Sequence, residues 1–428
     1  MKLRDVYKSI FCFAILSVFC LPWTVSAAQL NFQSDTILRM LERDTTTKDS
    51  AAVLPIYEYI QLDIGTPDEP GLSFHLYGWG RLDMADNDYY DDSSAGELLY
   101  SYIEYTGEQA AFNARLGRQY LFEGVADTAI DGLRLSSDLG KYFSGSVYAG
   151  LPVDYSSENG RDGDSIFGAR IANHMVGWYD LGLSYQKISN DSDSDEKAGM
   201  DLSAYLPLGI NLHGFSSLNL DTDEWAEHSY ELRFSAGPVR IRPYFQKFRY
   251  EDYFGTDNTS VNPFAFLANS GEELTVVGTE ATLPIGDNWT LVANIKNYDY
   301  KVLSDSSRYY SGKVIWSGEN GTQLGGEAGL MDGDASQNKY LLVRVYGYWT
   351  QLPAILPVGY VSSELMYVDY DQAIYGEDSS FFVSVGVGQK FLDDALDVKV
   401  SGDYSKDPYY DEDLQAMVTL SYRFGKDL

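Results

Sequence analysis

Strict alternation of apolar and polar side chains, repeated in runs of about ten residues, most limits what this chain can fold into. In "LQAMVTLSYRF" (414–424), Leu414, Ala416, Val418, Leu420, Tyr422 and Phe424 share one face of a strand, and Gln415, Met417, Thr419, Ser421 and Arg423 share the other. In "GLSFHLYGWGRLDM" (71–84), Leu72, Phe74, Leu76, Leu82 and Met84 oppose Ser73, His75, Tyr77, Arg81 and Asp83. "VRIRPYF", "WTLVANIKNY", "YLLVRVYGYW" and "LDVKVSGDY" repeat the pattern. From residue 71 onward we read about 20 strands. They begin near residues 71, 97, 109, 130, 141, 164, 175, 196, 209, 226, 238, 271, 287, 307, 322, 338, 356, 379, 395 and 413.

The connections alternate in length. "TGEQ", "SAGP" and "IGDN" are tight and carry turn residues. Between them come "ADNDYYDDSSAG", "VDYSSENGRDGDS", "SNDSDSDEKAG" and the longest, 250–273, whose "NPFAFLAN" cluster is expected to fold into a mouth or pack across its top. Short turns on one side and long loops on the other are the habit of an outer-membrane β-barrel. The fold class predicted is therefore all-β, a transmembrane antiparallel barrel of about 20 strands, between 18 and 22. An even number leaves both termini on the periplasmic side.

The first residues carry an export signal. Lys2, Arg4 and Lys8 precede an apolar run over 10–21, and Val25 and Ala27 set up cleavage before Ala28. The run is shorter than the ~20 residues a spanning helix needs. Both cysteines, Cys12 and Cys20, lie in this leader, so the mature chain has no disulfide to staple it and no CxxCH for haem. The whole chain has 31 Lys+Arg and 63 Asp+Glu; without the leader 28 bases face 62 acids, a net charge of −34. Such a surface excludes nucleic acid as a partner. The 35 Tyr, 20 Phe and 7 Trp argue against disorder.

Residues 28–70 differ in kind. "SDTILRMLERD" (34–44) suggests a short helix bearing Ile37, Leu38 and Leu41, and "IYEYIQLDIG" (56–65) alternates like a strand. The expected domain plan is a signal peptide over 1–27, a periplasmic or luminal extension over 28–70, and the barrel over 71–428.

If the apolar face meets lipid, the other face lines an interior that stays polar only if water fills it. Candidate pore-lining residues are Arg81, Arg115, Arg170, Arg233, Arg240, Arg242, Lys296, Arg344 and Lys399, with Glu231, Glu280 and Glu364. Arg423 joins the bases, and Asp83, Glu104 and Asp397 the acids. Opposed charges of this kind bias ion passage, or pair across neighbouring strands and fix register. Acidic runs such as Asp86, Asp88, Asp91 and Asp92, or Asp191, Asp193, Asp195 and Glu196, form a solvated rim or bind divalent cations that bridge to lipopolysaccharide. Trp79, Trp178, Trp225, Trp289, Trp316, Trp349 and Tyr422 fit interfacial girdles in part.

The stretch "ARLGRQYL" (114–121) followed by "DGLRL" (131–135) resembles the Gly-Arg-Gln strand of several bacterial porins. The closing "VTLSYRF", with Tyr422 and Phe424, is similar to the C-terminal β-signal read by the outer-membrane assembly machinery. The resemblance implies a Gram-negative outer-membrane channel for passive diffusion of small hydrophilic solutes or ions, without cofactor or metal. Outer-membrane lipid, lipopolysaccharide and the assembly machinery are the partners implied, with a homotrimer as one assembly. Two features depart from the pattern. "GKDL" follows Phe424, and alternation puts Arg118 on the face of Leu116 and Tyr120, so the strand either bulges after Gly117 or ends at a polar rim.

An enzyme is not expected. The histidines are His75, His174, His213 and His228, with His174 in a short turn, His228 on the apolar side, and the other two facing inward. No HExxH, GxSxG or P-loop occurs. The remaining alternatives are a sheath for an electron-carrying cytochrome conduit and a surface adhesin or receptor working through the acidic loops.

Overall fold

The computed structural model describes residues 29–43, 51–66, 69–85, 89–90, 92–108, 111–153, 165–189, 194–250, 271–302, 306–334, 338–350, 358–408 and 412–427. The leader, the "NPFAFLAN" cluster and acids 86, 88, 91, 191 and 193 lie outside them.

The chain is built of β1 (Gln29–Arg43), β2 (Ala51–Val53), β3 (Pro55–Ile64), β4 (Gly71–Asp83), β5 (Ser94–Thr106), β6 (Phe112–Glu123), β7 (Ala126–Asp138) and β8 (Phe143–Val153). There follow β9 (Ser165–Met175), β10 (Tyr179–Ser189), β11 (Ser194–Leu206), β12 (Ile210–Asn219), β13 (Glu224–Ala236), β14 (Val239–Arg249), β15 (Glu273–Ile285) and β16 (Trp289–Tyr300). The last are β17 (Ser306–Ser317), β18 (Gln323–Asp332), β19 (Tyr340–Trp349), β20 (Tyr360–Ile374), β21 (Glu377–Phe391), β22 (Leu396–Lys406) and β23 (Asp413–Asp427).

All pairings are antiparallel, and β23 returns to β1 from Gln29↔Asp427 to Leu41↔Gln415, closing the sheet. Because β2 and β3 both pair with β1, they are one stave interrupted at Leu54, and the barrel has 22 staves. Closure is what this composition demands: in hydrocarbon each backbone N–H and C=O needs a partner, and only a ring has no open edge.

The expectation for residues 28–70 is corrected here. The segment read as a helix is strand β1, and with β2 and β3 it adds two staves to the twenty, so the number stays even. The "GKDL" extension is also part of the wall, since Gly425 and Lys426 pair with Asn31 and Leu30.

One face of the ring carries Leu72, Ile103, Leu116, Leu183, Val277, Ile295 and Val345, all more than half exposed. Burial of such side chains is worth roughly 25 cal/mol per Å² of apolar surface, so this belt is suited to acyl chains and points outward. Trp289, Trp316 and Trp349 sit on that face towards one end, where amphipathic rings favour an interface, and Trp178 lies exposed in the turn between β9 and β10 at the same end. Trp79 belongs to the opposite, inner face.

A polar cluster interrupts the outer face at mid-stave on β1 and β3. Glu58 lies opposite Thr36 across β1 and β3, on the side of Ile60, and accepts hydrogen bonds from Ser34 Oγ and Thr36 Oγ1 at 2.5 Å each. Two hydroxyls thus stand in for water around a carboxylate that faces the apolar belt. Replacing Ser34 by alanine together with Thr36 by valine is expected to lower the unfolding free energy by about 2–3 kcal/mol, because both donors to the charged group vanish. Denaturant titration in lipid vesicles measures this. Glu58→Gln, which keeps an acceptor, is expected to change it by less than about 1 kcal/mol. Equal effects would mean that the hydroxyls do not satisfy the carboxylate.

Candidate functional site

Following the ladder around the ring places every proposed pore-lining residue on the inner face. Arg81 pairs with Tyr57, Arg115 with Glu104, Arg170 with Ser146 and Ser184, and Arg233 with Asn211. Glu231 pairs with Tyr244, Arg242 with Glu280, Arg240 with Thr282, Lys296 with Tyr309, Arg344 with Met366, Glu364 with Tyr346, and Lys399 with Gly388.

Most of these charges are neutralised by a neighbouring stave. Arg115 meets Glu104 at 3.2 Å, and Arg344 meets Glu364 at 2.7 Å. Arg242 bridges Glu231 at 3.2 Å and Glu280 at 3.3 Å, and Arg233 also binds Glu231 at 2.5 Å. Arg170 holds Asp201 at 2.5 Å and Asp180 at 3.1 Å. Arg81 lies under the Tyr90 ring at 3.6 Å and donates to the Asp92 carbonyl. Arg240, Lys296 and Lys399 form no ion pair among the described residues, and Lys296 stands over Tyr309 at 5.9 Å.

The feature that sequence reasoning missed is a crease in the wall. Gly117, Gly132 and Gly150 lie directly opposite one another on β6, β7 and β8. A Cβ on Gly117 would come within 2.9 Å of the Tyr102 Cα; on Gly132, within 2.8 Å of the Gly150 Cα; and on Gly150, within 2.7 Å of the Gly132 Cα. Gly117 has φ +130°, a conformation open mainly to glycine. At this line the sheet folds sharply, as glycine kinks allow.

Beyond the crease the β6–β7 hairpin turns back into the lumen. Arg134 is eight residues from Ala126 at the hairpin tip, about 26 Å along an extended strand. Yet Arg134 Nη2 lies 3.0 Å from the Oε2 of Glu123, which is Ala126's partner. The tip rests on the inner wall: the Val125 N–H donates to Ser184 Oγ at 3.0 Å, and the Val125 side chain sits against Gly199. Leu121 and Ile130 are fully buried with Tyr148, Ile166 and Ala126, while Tyr148 donates to Gln186 at 3.1 Å.

Folding back inverts the faces of the hairpin. Its formerly inward side chains pack on the wall, and its formerly outward ones, Arg118, Tyr120, Phe122 and Asp131, turn toward the lumen. The alternation that set Arg118 beside Leu116 and Tyr120 is kept, but the face changes from lipid to water. Arg118 makes a bidentate pair with Asp131 at 3.0 and 3.0 Å and donates to the Leu98 carbonyl at 2.9 Å, tying the base of the hairpin to β5. The sequence signal was present: a glycine in the middle of adjacent alternating runs.

On the neighbouring wall the inner positions of β3, β4 and β5 carry a band of aromatics. Tyr57 is 6.4 Å from Tyr59 and 6.1 Å from Trp79; Tyr59 is 6.4 Å from Tyr77, Tyr77 5.6 Å from Tyr100, and Tyr100 5.8 Å from Tyr102. His75 stacks on Tyr102 at 4.8 Å. At the other end Tyr57 shares a hydrogen bond of 3.1 Å with Tyr90, whose phenol pKa is pushed up by burial first and then by that bond.

His75 Nδ1 lies 2.7 Å from Asp63, and its Nε2 is 2.9 Å from Ser73 Oγ and 3.6 Å from Glu104. The order Asp, His, Ser invites comparison with a hydrolytic triad. Ser73, however, belongs to a strand whose amides are engaged in the ladder, so among the described residues no pair of donors converges beside its Oγ to hold an oxyanion. His213 is held by Ser203 at 3.0 Å on the inner face, and His228 by Ser216 at 2.8 Å on the outer. His174 ends β9 opposite Asp180 rather than lying in a turn. No group of residues that could hold a metal ion occurs among the described residues.

Tyr422 and Phe424 lie on the outer face of β23, with Phe424 opposite Phe32, and Tyr422 6.4 Å from the Phe32 ring.

No protein-family model matches this chain, and no curated protein matches it. Solved structures resemble it in fold. OccAB4 of Acinetobacter baumannii is 10% identical over 95% of this chain and 100% of its own, with a TM-score of 0.45. A BenF-like porin from Pseudomonas fluorescens Pf-5 is 12% identical over 93% and 99%, with a TM-score of 0.45. OccK2 (OpdF) of Pseudomonas aeruginosa, solved in complex with glucuronate, is 10% identical over 94% and 98%, with a TM-score of 0.43.

Proposed function

We propose that this chain is an outer-membrane porin through which small hydrophilic solutes and ions diffuse passively. The observation that carries the reading is the contrast between the two faces of one closed ring. An apolar belt rims the outside, while charged side chains and tyrosines line the inside. A barrel of this stave number is wide enough for an aqueous passage unless a plug fills it, and the inward hairpin occupies part of that width. The lumenal charges then act as the field that sorts ions, with lipid and lipopolysaccharide outside and the C-terminal Tyr422 and Phe424 serving assembly.

The test is conductance of the purified chain in planar bilayers. Discrete open steps support a porin; lasting silence of the correctly folded barrel sinks the reading and favours a sheath around a partner. In a salt gradient, Arg240→Glu with Arg242→Glu is expected to move the reversal potential toward cation preference, since two positive charges on the wall become negative. An unchanged potential would remove that pair from the conducting path.

A further inference from the structure

We propose that the aromatic band on β3, β4 and β5 is a binding track for linear, uncharged oligosaccharides. The inference rests on the channel reading above and names a solute class for it.

Tyr57 and Tyr59 are inclined by only 20°, and Tyr59 and Tyr77 by 28°, at 6.4 Å between centroids. Rings stacked face to face bring their atoms to about 3.5–4 Å. At 6.4 Å these two pairs lie near the outer limit of offset stacking, so the rings engage one another only loosely. All of them remain partly accessible on the inner wall. The band follows from the sequence, because Tyr57 and Tyr59, Tyr77 and Trp79, and Tyr100 and Tyr102 are each two residues apart on adjacent staves and so share a face.

The band climbs obliquely across three staves, from Tyr57 and Tyr59 on β3 through Tyr77 and Trp79 on β4 to Tyr100 and Tyr102 on β5. From Tyr57 to Asp63, at the level of His75, β3 rises about 20 Å. That is longer than one sugar ring or one aromatic acid, and it suits a chain of rings. A pyranose offers a flat C–H face and a rim of hydroxyls, and the wall offers matching partners. Flat phenol faces are bordered by Asp63, which accepts from Gln61 at 2.9 Å and faces His75 at 2.7 Å. Beside the band Arg81 lies under Tyr90 and Arg115 meets Glu104, while Arg39, whose charge reaches Tyr59, donates to the uncharged Gln415 at 2.8 Å.

The experiment follows ion current through the full-length mature barrel in planar bilayers while maltotriose is added to one side. Equilibrium binding of maltotriose to the folded barrel in micelles is measured in parallel by calorimetry. Reversible current block and binding are expected in the wild type. In Tyr59→Leu with Tyr77→Leu, which keeps bulk and removes the flat faces, both the half-blocking concentration and the dissociation constant are expected to rise about tenfold. In Tyr59→Phe with Tyr77→Phe they are expected to stay within about twofold, since the faces remain. Trp79→Leu serves in place of the leucine pair if that pair fails to insert, with the same loss expected. A channel that opens in salt but neither binds nor is blocked by maltotriose overturns the track and leaves the porin. Unchanged binding in the folded leucine variant also overturns it. A barrel that binds maltotriose through these rings but never conducts keeps the track and overturns the porin.

Discussion

Replacing Gly132 with valine is expected to unseat the β6–β7 hairpin and to lower the unfolding free energy of the barrel by about 3 kcal/mol. The added Cβ would lie 2.8 Å from the Gly150 Cα and closer still to the Ala149 carbonyl, and neither is a side chain able to rotate away. The crease must open, and with it goes the burial of Leu121 and Ile130. The control is Gly312→Ala on β17, where a Cβ would meet nothing within 4 Å and the effect is expected to be under about 0.5 kcal/mol. Denaturant titration followed by gel mobility compares the two. Equal midpoints would show that the wall is not folded at Gly132.

Charging the packed side of the hairpin, by Leu121→Asp with Ile130→Asp, is expected to raise single-channel conductance several-fold. Both positions are buried against Tyr148 and Ile166, and an isolated carboxylate there would lose its hydration without gaining a partner. The hairpin therefore leaves the wall and swings out of the lumen, while the 22-stave ring, which does not depend on this contact, persists. Conductance no higher than wild type in a barrel that still shows native mobility would mean that the hairpin does not narrow the passage. Tyr120→Ala, which changes the lumen-facing side of the same hairpin without disturbing its packing, separates a local widening from expulsion.

Much of the architecture was legible because it is local. Each of the twenty strands read from residue 71 onward begins within four residues of its observed start, from β4 at 71 to β23 at 413. The twelve proposed pore-lining residues share one face, since dyad alternation assigns a side once the register is known. What alternation could not show was pairing. It left open whether the charges stand free or pair across strands, and Arg242, Arg115 and Arg344 meet their acids on neighbouring staves.

The failure at residues 34–44 has the same origin. Ile37, Leu38 and Leu41 fit a helical stripe, and Ser34 and Thr36 break the apolar side of a strand. In the barrel those hydroxyls are tolerable on the outer face because both donate hydrogen bonds to Glu58 of the next stave. Seen alone, β1 has no contrast between its faces.

By itself, then, the sequence determined the period, the turns from residue 71 onward and the side to which most residues belong, because backbone geometry enforces a two-residue repeat wherever a strand forms. Only the tertiary structure decided that Arg118 faces water, that the first two staves close the ring, and that Tyr57, Tyr77 and Tyr100 form one surface. Those outcomes depend on which strand lies beside which and on where the sheet bends. Glycines at 117, 132 and 150 become a hinge only when three strands bring them into register, and no single run of residues contains that fact.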